Sequence, residues 1–122
     1  MTMKILIIDD EPAILLAMAT RARRLGHDVI EAEDGQIGYE AAVDNSPDLI
    51  LLDVRMPVLD GTRTLELLRG NPETSSIPVL MMSGSESDSR QARTAGANGF
   101  LSKPHTKQEF ETAINRALAP EP

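Results

Sequence analysis

The chain has 122 residues, a length that predicts a single domain, because domains usually hold roughly 100–200 residues. Its 12 basic and 19 acidic residues give a formal net charge of −7, which argues against direct binding of nucleic acid or of an anionic membrane, since both need a basic surface. The absence of cysteine excludes disulfides and Cys-ligated metal sites, and no apolar run approaches the ~20 residues that span a bilayer, so we expect a cytoplasmic protein.

Five short apolar segments, each followed by a segment with helical features, predict a regular alternation of strands and helices. The five segments are Met3–Ile8, Val29–Ile30, Leu49–Leu52, Val79–Met82 and Phe100–Leu101. The first and third are almost continuously apolar, which is typical of parallel strands that are covered on both faces. The second is flanked by acidic residues, so we expect it to form an edge strand.

The segments between these strands carry the usual signals of helix beginnings and ends. Pro12 suits the first turn of the first helix, and Gly26 suits its C-terminal cap. Asp34-Gly35 and Asp60-Gly61 are expected to begin the second and third helices. These signals place one helix after each of the first three strands.

The last two helices differ in the strength of their signals. In the fifth, Thr106 and Glu109 have the spacing of a capping box, ahead of an apolar stripe that begins at Phe110. The fourth, over Glu86–Ala95, has only two alanines on its apolar face, so we expect it to be loosely held. The complete alternation predicts an α/β three-layer sandwich with a parallel sheet and right-handed crossovers. We expect one domain over residues 1–122, with a core over about 3–119 and a tail over 120–122.

Polar residues follow four of the five predicted strands at the point where each strand ends. Asp9-Asp10-Glu11 follows the first strand, and Asp53 follows the third. Ser83-Gly84 follows the fourth strand, and Lys103-Pro104 follows the fifth. Because ligand sites of open α/β sheets lie at the carboxyl ends of the strands, we expect these side chains to meet at one edge.

The predicted cluster has an excess of negative charge. Two carboxylates ~5 Å apart repel each other by ~3 kcal/mol at an effective dielectric constant near 20. Lys103 supplies one counter-charge for three carboxylates, and we expect a hard divalent cation with oxygen ligands, Mg²⁺, to supply the rest. Each signal alone has a commoner structural explanation, such as a solvated helix N-terminus or a turn. The coincidence of four signals at one edge of the sheet favours a shared site.

At these positions the sequence resembles the receiver domain of bacterial two-component response regulators. The resemblance extends from Lys4 to about Ala119, and its four segments in this order are specific although each alone is weak. The segments are Ile8–Pro12, Leu51–Pro57 with Asp60-Gly61, Met82–Gly84 and Gly96–Pro104. The resemblance implies a flavodoxin-like fold with a five-stranded parallel sheet in the order 2-1-3-4-5, and a cis peptide bond between Lys103 and Pro104.

The resemblance also implies a chemistry for the acidic cluster. Asp53 would accept a phosphoryl group from a phosphohistidine of a sensor histidine kinase or a histidine phosphotransfer protein. Mg²⁺ would be bound by Asp10, Asp53 and the backbone carbonyl of Arg55, and by Asp9 through a water molecule. The chain would then be a signalling domain of a phosphorelay that catalyses only its own phosphorylation and dephosphorylation, and not an enzyme with a separate substrate.

Further residues have implied roles in transmitting and timing the signal. Lys103 and Ser83 would contact phosphoryl oxygens, and Ser83 and Phe100 would act as switch residues. Their movement would reshape the face formed by the fourth helix, fifth strand and fifth helix, which would bind a downstream target and could support a phosphorylation-dependent dimer. Arg55 and Ser85 would tune the lifetime of the phosphoryl group. The Arg55 side chain could pair with the phosphoryl group, pair with a nearby acid or point into solvent.

Three other functions fit the sequence less well. An aspartate-nucleophile phosphatase needs a second aspartate two residues after the nucleophile, where this chain has Arg55. A flavodoxin-like electron carrier needs a hydroxyl- and glycine-rich phosphate loop after the first strand, where this chain has Asp9-Asp10-Glu11. A phosphorylation-independent pseudo-receiver, which serves only as a docking module, usually lacks part of the acidic set or the lysine, and here all are present.

Overall fold

The structure, a computed structural model, describes residues 2–119. The strands are β1 (Lys4–Ile8), β2 (Asp28–Ala32), β3 (Leu49–Asp53), β4 (Val79–Ser83) and β5 (Gly99–Ser102). The helices are α1 (Pro12–Arg24), α2 (Gly35–Asn45), α3 (Gly61–Gly70), α4 (Ser87–Thr94) and α5 (Lys107–Leu118). The alternation predicted from the sequence is therefore confirmed. The predicted tail, 120–122, lies outside the described residues.

The sheet is parallel throughout and has the strand order β2-β1-β3-β4-β5, which confirms the predicted topology and the edge position of β2. β3 and β4 each extend one residue beyond the predicted apolar run, because the hydrogen-bond ladder continues past it. The amide of Val54 still donates to the carbonyl of Met82 at 2.9 Å. Consequently Asp53 and Ser83 are the last residues of their strands, on the sheet itself.

Helices cover both faces of the sheet and bury its central strands. All five residues of β3 are buried. Successive side chains of a strand point to opposite faces, so Leu6 and Ile8 join a core with α2, α3 and α4, whereas Ile5 and Ile7 join a core with α1 and α5. The result is the predicted three-layer sandwich. Among the helices described between residues 2 and 119, none is long and apolar enough to cross a membrane.

The predicted helix caps are present and fix where the helices begin. Asp34 accepts a hydrogen bond from the amide of Ile37, and Asp60 accepts one from the amide of Arg63. Thr106 and Glu109 form the complete capping box of α5. Each cap satisfies backbone N–H groups that would otherwise lack a partner at the helix end.

Helix α4 is the least apolar of the five and is held differently from the others. Its single buried apolar residue is Ala92, in agreement with the poor apolar face predicted for this segment. Its other buried residue is Asp88, whose side chain is charged. α4 is therefore attached to the domain through a polar contact near its N-terminus, which the sequence did not indicate.

The start of α3 lies so close to the end of β3 that only glycine fits there. A Cβ atom added to Gly61 would lie 2.2 Å from the carbonyl oxygen of Asp53 and 2.8 Å from the Cα of Val54. We therefore expect Gly61→Ala to lower the free energy of unfolding by about 2 kcal/mol, because backbone rather than a flexible side chain must move. Chemical denaturation checks this expectation.

Gly70 provides the matched control in the same helix. No atom lies within 4 Å of the position that its Cβ would occupy. Gly70→Ala should leave the stability unchanged or raise it slightly, because alanine restricts the unfolded chain. Equal stability of the two variants would contradict the close approach of α3 to β3.

Candidate functional site

Three carboxylates converge at the carboxyl ends of the neighbouring strands β1 and β3. Asp9 and Asp10 directly follow β1, and Asp53 ends β3, which pairs with β1. One carboxylate oxygen from each of the three lies within 4.8 Å of the others. Asp9 and Asp53 are almost completely buried, with exposed fractions of 0% and 3%, and Asp10 is half-buried. The strand topology thus brings together the three acids predicted to share a site.

Lys103 reaches this cluster from the loop after β5. Its Nζ donates a hydrogen bond to Asp9 at 2.9 Å and lies 3.3 Å from a carboxylate oxygen of Asp53. The backbone amide of Lys103 donates to the carbonyl of Ser83, which fixes the loop beside β4, and the following bond to Pro104 is cis. The predicted counter-charge is therefore in direct contact with two of the three acids.

Burial disfavours the charged forms of Asp53 and Lys103, whereas the opposite charge beside each group favours them. Burial and the neighbouring charge of Asp9 raise the pKa of Asp53 to about 6, although the Lys103 ammonium opposes this rise. For Lys103, burial disfavours the charged form, but the hydrogen bond to Asp9 and the charges of Asp53 and Asp9 outweigh it and raise its pKa. The Lys103 side chain therefore stays protonated and charged. The negative charge of the Asp53 carboxylate is only partly compensated by Lys103.

The donor atoms of the cluster fit a hard divalent cation. Three carboxylates and one ammonium leave two negative charges without compensation among these four side chains. All of the converging acidic ligand atoms are oxygens, which suit Mg²⁺ because it binds a few carboxylates and keeps several of its water molecules. A neutral or purely apolar ligand would leave this charge unbalanced.

Ser83 lies at the end of β4, where its hydroxyl is already engaged. Its Oγ donates a hydrogen bond to Oδ2 of Asp88 in α4 and accepts one from the amide of Ser85 at 3.1 Å. Both Ser83 and Asp88 are buried, with exposed fractions of 2% and 3%. The residue predicted to contact a phosphoryl group is therefore at the expected strand end, but it is bound to a neighbouring acid.

Arg55, Asp88 and Ser83 form a second polar group beside the acidic cluster. Its guanidinium donates to both carboxylate oxygens of Asp88, with distances of 3.1 Å from Nε and 2.9 Å from Nη2. Of the three orientations that the sequence left open for the Arg55 side chain, the structure has the pairing with a nearby acid. The hydrogen bonds from Arg55 and from Ser83 lower the pKa of Asp88, so its carboxylate is ionised.

Asp88 is the one residue of the site region that the sequence reasoning missed. An acidic residue in the first turn of a short polar helix normally lies in solvent, where it interacts favourably with the helix dipole. No spacing rule connects Asp88 to Ser83 or Arg55, which come from different elements. The sequence indicates a polar attachment only indirectly, because the fourth helix has too few apolar residues to hold it in place.

Phe100 and Ser85 lie beside the polar site rather than in it. Phe100, in β5, is half-buried and packs against the core cluster that includes Ala92 of α4. Phe100 also lines a groove between β5 and α5, together with Gly99, Ala113 and Arg116. Ser85 is half-buried and contacts Ser83 through its backbone amide. The predicted switch residue is therefore neither fully exposed nor fully buried.

Comparison with known protein families and curated proteins points to one family. A family model described as response regulator receiver domain matches residues 5–115. Two relatives come from Pseudomonas aeruginosa. The chain is 35% identical to Protein PilG, over 92% of this chain and 84% of PilG. It is 34% identical to Protein PilH, over 95% of this chain and 98% of PilH. It is also 38% identical to the DNA-binding regulator RpaA of Synechocystis, of which it spans only 48%.

Solved structures agree with the sequence comparison. A putative response regulator from Chloroflexus aurantiacus superposes with a TM-score of 0.93, with 30% identity over 98% of this chain and 100% of that one. The receiver domain of a sensor histidine kinase from Pseudomonas aeruginosa superposes with a TM-score of 0.89, with 27% identity over 97% of this chain and 98% of that one. That second structure has a magnesium ion coordinated in its active site cleft.

Proposed function

The chain belongs to the response regulator receiver domain family of two-component signalling, and from that premise we propose that it is a phosphoryl-accepting switch with Asp53 as its acceptor. The observation that carries the proposal is the environment of the Asp53 carboxylate. It lies 3.3 Å from the Lys103 ammonium, and one of its oxygens is within 4.8 Å of oxygens of Asp9 and Asp10. Such a site places one ammonium and hard oxygen ligands beside a single nucleophilic carboxylate.

Mg²⁺ is the proposed cofactor. Asp10, Asp53 and the backbone carbonyl of Arg55 would bind it directly, and Asp9 would bind it through a water molecule. When bound, the ion would neutralise the acids and an incoming phosphoryl group, whose negative charges otherwise repel each other. The excess of two negative charges in the cluster and the magnesium-bound structure of a kinase receiver domain both support this assignment.

The proposed reaction transfers a phosphoryl group from a phosphohistidine of a sensor histidine kinase or a histidine phosphotransfer protein. A carboxylate oxygen of Asp53 bonds to phosphorus while the phosphorus–nitrogen bond breaks, and the leaving imidazole keeps the electron pair. Lys103 and Ser83 would contact the equatorial oxygens of the phosphoryl group. Catalysis of this kind is mostly positioning and charge stabilisation, which a preformed cluster of charged groups supplies. The product is an acyl phosphate, which water later hydrolyses.

The phosphoryl group would then be read at a separate surface. The phosphoryl group on Asp53, with its charge of up to −2 and its new hydrogen-bond acceptors, would draw the Ser83 hydroxyl towards the site. Phe100 would follow into the space vacated, and the surface formed by α4, β5 and α5 would change shape for a downstream target or for a second copy of the chain. Arg55 and Ser85 would tune the phosphoryl lifetime. We propose that residues 1–122 form the single domain that performs this switching.

Intact-mass measurement after treatment with a small phosphodonor tests the proposal. In the presence of Mg²⁺ we expect the chain to gain one phosphoryl group, and we expect no gain when EDTA is present. Failure of a folded chain to gain any phosphoryl group would contradict the proposal and favour a docking module that works without phosphorylation. Circular dichroism of the same samples verifies that the chain is folded.

A further inference from the structure

The contacts of Ser83 indicate how the proposed switch is kept in its unphosphorylated state. A serine hydroxyl has one proton to donate. In this structure that proton is donated to Asp88, and the other side of the oxygen accepts the amide of Ser85. Ser83 therefore has no proton left for a phosphoryl oxygen until the bond to Asp88 breaks.

Asp88 is itself held in place from the far side. Its carboxylate is buried, and the two hydrogen bonds from Arg55 fix its orientation at the N-terminal turn of α4. The Arg55 side chain is 70% exposed, so it keeps the buried acid paired while its own charge remains hydrated. When Ser83 leaves, Asp88 keeps both bonds to Arg55, and the buried carboxylate is not left unpaired.

We propose that Asp88 is a positioning residue that holds the Ser83 hydroxyl away from the phosphoryl site. Arg55 fixes Asp88 in place, and the bond between Asp88 and Ser83 sets the free energy needed to move the hydroxyl. This inference rests on the proposed function. The arrangement couples the active site directly to α4, because the bond that must break joins the end of β4 to the first turn of that helix.

The two ends of α4 are attached in different ways, which predicts where the helix would move. At its C-terminal end, the Arg69 guanidinium donates to the carbonyl of Gly96 and to the side chain of Asn98. These bonds involve neither Asp53 nor Ser83. Release of Ser83 would therefore loosen the N-terminal turn of α4 while the C-terminal end stays attached.

Titration with beryllofluoride and Mg²⁺, a probe that mimics the phosphoryl group, tests the proposal. Asp88→Ala should bind the probe about tenfold more tightly than the wild type, because the hydroxyl of Ser83 no longer has to leave a charged acceptor. In a Ser83→Ala background, the same substitution should change the affinity by less than about twofold. A tenfold effect that persists without the Ser83 hydroxyl would overturn the proposal, because Asp88 would then act through Arg55 or through the stability of α4.

The controls separate this proposal from the proposed function. Glu86→Gln neutralises another acid at the start of α4, whose side chain makes no capping hydrogen bond to that helix, and should bind the probe as the wild type does. If the wild type does not bind the probe, the proposed function fails. If it binds and Asp88→Ala binds equally, only the positioning role fails. Should Asp88→Ala not fold, the near-isosteric Asp88→Asn should show a gain in the same direction, and no gain would overturn the proposal.

Hydrogen exchange of the free protein provides a measurement without Mg²⁺ or probe. In Asp88→Ala, amides in the first turn of α4 should exchange faster, whereas the amides of Gly96 and Asn98 should keep the wild-type rates. Uniformly faster exchange across α4 and the following loop would contradict the separate attachment of the two helix ends.

Discussion

Lys103→Met should slow phosphoryl uptake at Asp53 by about 100-fold or more. The ammonium contacts both Asp9 and Asp53, and the Lys103 side chain has an exposed fraction of only 16%, so water does not replace the ammonium well. Removal of one preorganised electrostatic group from a site where charge develops typically costs 10²–10³ in rate, about 3–4 kcal/mol. The measurement is the rate of mass gain with a small phosphodonor at saturating Mg²⁺.

The same substitution should also destabilise the fold. Asp9 has an exposed fraction of 0%, and without Lys103 its carboxylate loses the only side chain found bonded to it in residues 2–119. Breaking a buried ion pair by removing one partner costs about 3–5 kcal/mol. Lys107→Met, which removes an exposed ammonium from the start of α5, is the matched control and should leave the uptake rate unchanged. Equal rates for the two variants would contradict a role of Lys103 at the acceptor.

Asp53→Asn should abolish phosphoryl uptake and, at neutral pH in EDTA, raise the free energy of unfolding by about 3 kcal/mol. The pKa of Asp53 is about 6 in the folded chain against 3.8 for an ordinary aspartate, so the folded state binds this proton more tightly than the unfolded state does. Each pH unit of this difference corresponds to about 1.4 kcal/mol. The attraction to Lys103 is already part of this balance, and the cost of burying the carboxylate exceeds it.

The sign of the effect fixes its pH dependence. Well below pH 3.8 the carboxyl is protonated in both states, so the wild type and Asp53→Asn should have similar stability. As the pH rises to about 6 the wild type loses this contribution, and above that pH the difference should be constant. Urea denaturation from pH 4 to 8 checks the profile, with the exposed Glu111→Gln as control. A difference that is independent of pH would show that the Asp53 carboxyl does not titrate as described.

The framework of the site follows from the sequence because it depends on topology alone. Asp9 and Asp53 each follow an apolar segment that is predicted to form a strand. In a parallel sheet both acids must then lie at the same edge, whatever the details of side-chain packing. Lys103 follows the last strand and is long enough to reach that edge. In the structure the Lys103 ammonium contacts both of these acids.

The second polar group could not be predicted in the same way. The pairing of Arg55 with Asp88 depends on the distance between the loop after β3 and the first turn of α4, which neither segment encodes separately. The burial of Asp88 likewise depends on how α4 packs, and a charged residue in a polar helix normally indicates a solvent-facing position. The sequence left three orientations open for Arg55 because each partner was equally compatible with its position.

Chemical trapping of the phosphorylated residue identifies the phosphoacceptor directly. Borohydride reduces an acyl phosphate to an alcohol and so converts a phosphorylated aspartate to homoserine, which peptide mass mapping locates. After treatment with a phosphodonor and Mg²⁺, homoserine should appear at position 53 and at neither position 9 nor position 10. Homoserine at Asp9 or Asp10, or a phosphorylated chain without any homoserine, would contradict Asp53 as the acceptor.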